Sequence, residues 1–317
     1  MSTSSISKPA ILVTGATGQQ GGATINALIE AGALKTHSLI AVTRNRESGA
    51  AKKLEARGVK LIQGDLSDCP LLFNKARAVL GGGKDVRVWG VFSVQPLVGD
   101  AEETQGKALV DAALANQVEL FVYTSVDRGG EARSPSNPTN VPHFITKHNI
   151  EKYLLAQSKA HGDKMKWVIL RPVAFMENMV PGFPGKLMGT AFRVILGKKP
   201  LQLIATRDIG WYAARALLRP DEFAGRSISL AGDELNFAQV NALFKSEVGQ
   251  ELPQTMSFLA RLIMWLAKDL GAMIRWFAAE GYGADVKALR EEHPDLQSFR
   301  DWLRESAWVA KSSVKDG

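Results

Sequence analysis

Residues 11–22 read ILVTGATGQQGG, a short apolar strand that runs into Gly15, Gly18 and Gly21. Glycines at this spacing, between a strand and a helix, suit one task above others. They present unpaired backbone N–H groups, at the positive end of a helix dipole, to a pyrophosphate. Each glycine has its own physical role. Gly15 permits a tight turn at positive φ. Gly18 lets the backbone approach the phosphates, and Gly21 lets the new helix pack closely on the strand. Thr17 and Gln20 complete the turn. Beyond it, Ile25, Leu28 and Ile29 recur at helical spacing until Gly32, a suitable C-terminal stop.

The ends of the next strands carry the rest of a dinucleotide site. An acidic residue after the second strand would take a ribose 2′-OH, whereas an arginine would take a 2′-phosphate. The sequence there is Thr43, Arg44, Asn45, Arg46, with no carboxylate before Glu47. Arg44 therefore favours NADP(H), with NAD(H) as the second choice. The competing reading leaves Arg44 and Arg46 as solvated loop charges. After the third strand come Gly64, Asp65 and Leu66. Asp65 can accept from an adenine amino group, while Asp68 is better placed to cap the next helix. The fourth strand ends in VFSVQP at 91–96, which turns Ser93 and Gln95 toward the nicotinamide half of such a ligand.

These positions need a scaffold of alternating strands and helices. Strands are expected at 10–14, 38–43, 59–63, 86–94, 120–125 and 167–171, all rich in branched and aromatic apolar residues with little alternation. Helices are expected between them, at 20–31, 48–56, 70–80, 101–116 and 143–157. That order predicts an α/β fold, a Rossmann-type doubly wound parallel sheet with a smaller, mostly helical C-terminal lobe. The expected division is a flexible N-terminus at 1–9, an NAD(P)-binding core at 10–171, a substrate or partner lobe at 172–306 interleaved with the core, and a flexible tail at 307–317. One strand, at 227–230, returns to the sheet in this reading. Residues 172–200 hold four prolines and four glycines and read as a loop-rich segment able to line a pocket. The run 258–277 is apolar at helical spacing, but Arg261, Lys268, Asp269 and Arg275 interrupt it. It reads as a helix packed on the core or over a pocket, in preference to one lying on a membrane, and no membrane span is expected.

Composition narrows the class. The chain has 317 residues, 45% hydrophobic and 22% charged, as ordinary globular proteins have. One cysteine, Cys69, excludes an internal disulfide and suits a reducing compartment. Residues 1–9 lack the apolar core of a secretory signal, so a cytoplasmic location is expected, or a nuclear one for a regulator. The net charge of +7 is scattered, which favours anionic small ligands and gives no nucleic-acid arm. No spacing of His, Cys, Asp or Glu suggests a metal.

Several segments together resemble one family. They are GATGQQGG at 15–22, Arg44, GDLSD at 64–68, VFSVQ at 91–95, YTSVDRGG at 123–130, HFITKHNIE at 143–151, RPVAFMEN at 171–178 and RDIG at 207–210. In this combination the chain resembles the NmrA-like group of atypical short-chain dehydrogenases/reductases. The resemblance implies a Rossmann core with a small C-terminal lobe. It also implies a role between two extremes, an NADPH-dependent reductase and an NAD(P)-binding regulator that acts through a protein partner. Catalytic short-chain reductases carry Tyr-x-x-x-Lys, one turn apart on the helix after the fifth strand. Here His143 stands at the tyrosine position and Lys147 at the lysine position. By this resemblance Lys147 would hold the nicotinamide ribose and Ser125 would steady a substrate carbonyl. Either His143 donates the proton, or the site has lost its chemistry. A third route exists in similar reductases of phenolic substrates, where the lysine takes part in proton transfer without a tyrosine. Asp127 and Arg128 would form a local ion pair or touch substrate. On balance the chain reads as an NADP(H)-dependent oxidoreductase acting on a small organic carbonyl or activated alkene. The alternative is a non-catalytic redox sensor.

Overall fold

The computed structural model describes residues 8–83, 87–96 and 101–312. Most of the expected segment 1–9, the start of the expected fourth strand and the end of the expected tail lie outside these residues. Ten strands follow along the described chain: β1 (Ala10–Val13), β2 (Ser38–Thr43), β3 (Lys60–Gln63), β4 (Val88–Ser93), β5 (Leu120–Thr124), β6 (Lys166–Pro172), β7 (Ala174–Phe175), β8 (Leu201–Ile204), β9 (Ser227–Leu230) and β10 (Asp233–Leu235). The helices used below are α1 (Gln19–Glu30), α2 (Gly49–Ala56), α3 (Cys69–Val79), α4 (Ala101–Ala115), α5 (Pro142–Ala160), α6 (Phe183–Ala191), α7 (Thr206–Leu218), α8 (Phe237–Val248), α9 (Ser257–Leu266), α10 (Lys268–Ala279), α11 (Val286–Glu292), α12 (Phe299–Glu305) and α13 (Ala307–Ser312).

Seven strands form one sheet in the order β3-β2-β1-β4-β5-β6-β9. The pairs β1–β2, β2–β3, β1–β4, β4–β5 and β5–β6 are all parallel. The order runs outward in one direction from β1 and in the other from β4, so the chain reverses its winding between them. Ligands of open α/β sheets bind at such a switch point. The strands read as apolar runs because both faces are covered. Ala10, Ile11, Leu12 and Val13 are all fully buried.

The chain divides into two compact units. The first holds residues 1–125, 146–170 and 209–228, and the second holds 126–145, 171–208 and 229–317. Each has its own apolar core. In the first, Leu12, Ile40, Ile62, Val91 and Phe121 of the strands pack with Leu72, Phe73, Leu109 and Ile150 of the helices. In the second, Phe192, Phe244, Trp276, Phe277 and Phe299 dominate. A short sheet, β10-β8-β7, belongs to the second unit.

Two parts of the second unit depart from expectation. Residues 172–200 are largely helical: α6 is preceded by a 3-10 turn at Met176–Met179 and followed by a π-helical turn at Phe192–Leu196. The glycines that suggested loops allow close packing. At Gly185 a Cβ would overlap the Val180 carbonyl oxygen. The apolar run 258–277 is two helices, α9 and α10, broken at Ala267. They fold against each other because Gly271 leaves room for the Met264 carbonyl. The break separates the aromatic residues. Trp276 and Phe277 are buried at 2% and 4% exposure, while Trp265 is 71% exposed. The chain also remains helical past residue 306, in α13, where a flexible tail was expected. Trp308 anchors it, with its ring on Phe244 and its indole N–H donating to the Met179 carbonyl at 2.6 Å. Among the described residues no helix is long and apolar enough to cross a membrane.

Candidate functional site

Four strand ends and the start of α1, all in the first unit, surround a cavity of about 540 Å³. Its walls come from Thr14 and Gly15 after β1, Arg44 after β2, Gly64 to Ser67 after β3, and Val94 to Pro96 after β4. Thr14 ties the two central strands together at this point. Its hydroxyl donates to the Val94 carbonyl at 3.0 Å and accepts from the Val94 N–H at 2.8 Å.

The glycine turn has the geometry its spacing predicts. Gly15 is at φ +57°. At Gly21 a Cβ would lie 2.5 Å from the Thr14 carbonyl oxygen and closer still to that of Gly15, so only glycine lets α1 start this near β1. Gly18 caps α1 in an extended conformation without a side-chain hydrogen bond, and no acidic residue stands in the first turn. The first N–H groups of α1 therefore face the cavity without a carboxylate to neutralise them. Gln20 is held by Thr124, whose hydroxyl donates to its Oε1 at 2.5 Å.

The structure separates the two arginines after β2. Arg46 pairs with Glu55 at 3.3 Å, both on the exposed surface. Arg44 lines the cavity. The loop that carries it is fixed, because Asn45 N–H donates to the Thr43 hydroxyl and Glu47 N–H to the Asn45 side chain. After β3, Asp65 accepts from the backbone and hydroxyl of Ser67. Those bonds, aided by the charge of Arg44, hold its carboxyl below the usual aspartate range. Asp68 caps α3 by accepting from the Leu71 N–H. Cys69, at the start of α3, is buried, and burial together with Asp68 and Asp65 pushes its thiol up to about 11, so it is inert at neutral pH.

Of the expected binding residues, Gly15, Thr17, Gly18, Gln20, Gly21, Arg44, Asp65, Leu66 and Gln95 line this one cavity. Ser93 stands just behind it, accepting from Gln95 Nε2 at 2.9 Å. Lys147 does not line the cavity. Its ammonium donates to Glu102 of α4 at 2.7 Å, and both side chains are nearly inaccessible. Gln105, which does line the cavity, is three residues beyond Glu102 on the same face of α4. Sequence reasoning missed Gln105 and Glu102, as well as Ser67. Ser125 follows β5, 3% exposed, with its N–H donating to the Leu170 carbonyl.

His143 has different company. In the second unit its Nδ1 lies 2.8 Å from both carboxylate oxygens of Asp269 on α10. Asp127 and Arg128, also in the second unit, serve the backbone. Asp127 accepts from the N–H groups of Gly129, Gly130 and Gly283. Arg128 donates to the carbonyls of Val126, Ser134 and Asn137. Among the described residues no cluster of three potential metal ligands occurs.

A parallel sheet with a glycine-turned helix at its switch point defines a Rossmann-type α/β protein. The model of the NmrA-like family matches residues 7–300, and the chain belongs to that family. It is 29% identical over 241 residues to an NAD(P)H azoreductase of Xenophilus azovorans, a match covering 76% of this chain and 74% of the relative. Its fold is similar to that of the Citrobacter sp. triphenylmethane reductase complexed with NADP(H), with a TM-score of 0.71 at 18% identity over 93% of this chain and 99% of the other. It is similar also to the negative transcriptional regulator NmrA in complex with NAD, with a TM-score of 0.67 at 16% identity, covering 98% of each chain. At these identities the structural likeness speaks for the fold.

Proposed function

We propose that this protein is an NADP(H)-dependent oxidoreductase that reduces a small organic carbonyl or an activated alkene. The observation that carries the reading is the buried Lys147–Glu102 pair, one helical turn from a residue of the cavity wall. Burying two charges costs several kcal/mol per ion before their attraction repays it, and a hydrophobic pair would often serve the fold as well. A reacting group gives that placement a use. The azoreductase relative, matched over most of both chains, supports the same reading.

The cavity fits a dinucleotide by its own features. Gly21 lets α1 start close against β1, because a Cβ there would meet the carbonyl oxygens of Gly15 and Thr14, and this close approach sets the start of α1 in the cavity wall. Gln95 Oε1 and Gln105 Oε1 are buried without a hydrogen-bond partner among the described residues, and both side chains belong to the cavity wall. The N–H groups of α1 would hold the pyrophosphate, Arg44 a 2′-phosphate, and Asp65 the adenine amino group. When bound, the nicotinamide supplies a hydride equivalent. With one N–H engaged by Glu102, Lys147 would have two more to offer, one to the ribose hydroxyls and one to a substrate oxygen that gains charge. Proton transfer is assigned to Lys147 and not to His143, whose ring is held by Asp269.

The cofactor assignment is tested by Arg44→Ala. NADPH affinity should fall about 10- to 100-fold, the worth of one or two charge-assisted hydrogen bonds, while NADH affinity changes by less than about threefold. Fluorescence titration of both nucleotides measures this, and equal loss for the two would remove the 2′-phosphate role. The activity is tested by following NADPH oxidation against carbonyl, quinone and azo acceptors. Acceptor-dependent oxidation supports the enzyme. Tight NADPH binding with no oxidation on any acceptor favours the redox-sensor reading.

A further inference from the structure

Glu102 is a carboxylate at 1% exposure whose oxygen receives the Lys147 ammonium at 2.7 Å. It is not part of the cavity wall. The helix pairing does not rest on it alone, because α4 and α5 are also joined elsewhere. Glu103 accepts from Asn149 at 2.8 Å, Asp111 accepts from the Tyr153 hydroxyl at 2.7 Å, and Gly106 fits so closely against Ile150 that a Cβ would lie 2.5 Å from its Cδ1. Residues 102, 103, 106 and 111 thus meet 147, 149, 150 and 153 in a continuous seam. Glu102 is its one member joined to the lysine of the proposed reaction.

We propose that Glu102 is the positioning residue for Lys147. Its carboxylate fixes the ammonium at one point of the α4–α5 seam and leaves the remaining N–H donors aimed by the geometry of a rigid pair. A lysine has four rotatable bonds and much rotamer freedom, so an unanchored ammonium would spread over many positions. A single short charge-assisted bond to a buried, immobile acceptor removes that spread. Gln105, one turn on from Glu102, sits in the cavity wall, so the same helix face sets both the wall and the lysine.

The proposal rests on the oxidoreductase reading only where turnover is measured, and nucleotide binding tests it independently. Glu102→Gln keeps an acceptor oxygen of the same reach but removes the charge. Its melting temperature should fall, but by less than that of Lys147→Ala, because the amide oxygen still accepts from the ammonium, and binding and turnover are read well below the transition. NADPH Kd should rise about 10-fold and kcat fall about 10- to 100-fold, with the acceptor KM changed less than about twofold, as expected for loss of a buried charged partner. Glu102→Asp, which keeps the charge on a shorter arm, should recover part of both losses. In a Lys147→Ala background, Glu102→Gln should change Kd and kcat by no more than about twofold, because residues that act through one another are not additive. Wild-type Kd and kcat in Glu102→Gln, or losses that multiply in the double variant, would overturn the assignment. If the wild type binds NADPH and reduces no acceptor, the oxidoreductase reading falls, and the Kd cycle alone still decides whether Glu102 positions Lys147.

Discussion

Lys147→Ala is expected to lower NADPH-dependent turnover by about two to four orders of magnitude, the usual worth of a proton-transferring group held in place. Two separable effects contribute. Under the proposed function the proton donor is lost, which lowers kcat at saturating NADPH. The carboxylate of Glu102, at 1% exposure, is also left without its cation. Breaking a buried pair from one side costs about 3–5 kcal/mol of stability. The variant should therefore melt lower than wild type, and Glu102→Gln in the same chain should restore much of the melting temperature without restoring kcat. That dissociation of stability from rate marks a reacting group. A lysine that merely neutralises Glu102 would regain activity as it regained stability. Lys147→Arg should not rescue, because a planar guanidinium cannot take the place of a compact ammonium as a proton donor.

The second large effect is predicted at the glycine turn, from two adjacent positions with opposite outcomes. Gly21→Ala forces a methyl group into the carbonyl oxygens of Gly15 and Thr14, and backbone atoms cannot swing aside as a flexible side chain can. The start of α1 must move away from β1, at a cost of about 3 kcal/mol or more. The N–H groups that face the cavity move with it, so NADPH binding should weaken by about 100-fold. Gly22→Ala is the control. Its Cβ would lie 3.4 Å from the Ala16 carbonyl oxygen, an ordinary contact, and alanine is favoured over glycine within a helix by about 1 kcal/mol. Gly22→Ala should bind NADPH normally and melt at or above wild type. Thermal melting and fluorescence titration on the two variants read both outcomes. Similar behaviour of the pair would contradict the close approach of α1 to β1.

Local signals in the sequence were reliable where the physics was local. The strand-turn-helix at 11–22 needs only its own residues to declare itself, since strand burial, positive φ at Gly15 and close packing at Gly21 are properties of neighbouring positions. The same holds for Asp68, which caps α3 three residues before its partner N–H. Strand ends at a switch point converge by topology, which is why Arg44, Asp65 and Gln95 could be assigned to one cavity from their places in the chain. Long-range pairings were not legible. Glu102 and Glu103 stand at the start of a helix, where acidic residues ordinarily complement the helix dipole in solvent. Only the packing of α4 on α5 shows that Glu102 is buried against a lysine 45 residues away. The partner of His143 lies 126 residues along the chain. Composition misled in 172–200, because proline and glycine suit loops and tight helix packing equally, and Gly185 serves the packing. In 258–277 periodicity signalled helix correctly but could not show the break at Ala267, which depends on what Gly271 allows to approach.

The central claim is that this chain transfers hydride from NADPH and a proton from Lys147 to an organic acceptor. It is tested most directly by supplying NADPH deuterated at nicotinamide C4, on each face in turn, with a carbonyl or activated-alkene acceptor that the wild type consumes, so that the label is delivered to carbon and does not exchange with water. The product is then analysed by mass spectrometry. The expected result is one deuterium in the product from one face only, one NADPH consumed per acceptor reduced, and loss of transfer in Lys147→Ala. Product without deuterium from either face, or label transfer unchanged in Lys147→Ala, would contradict it.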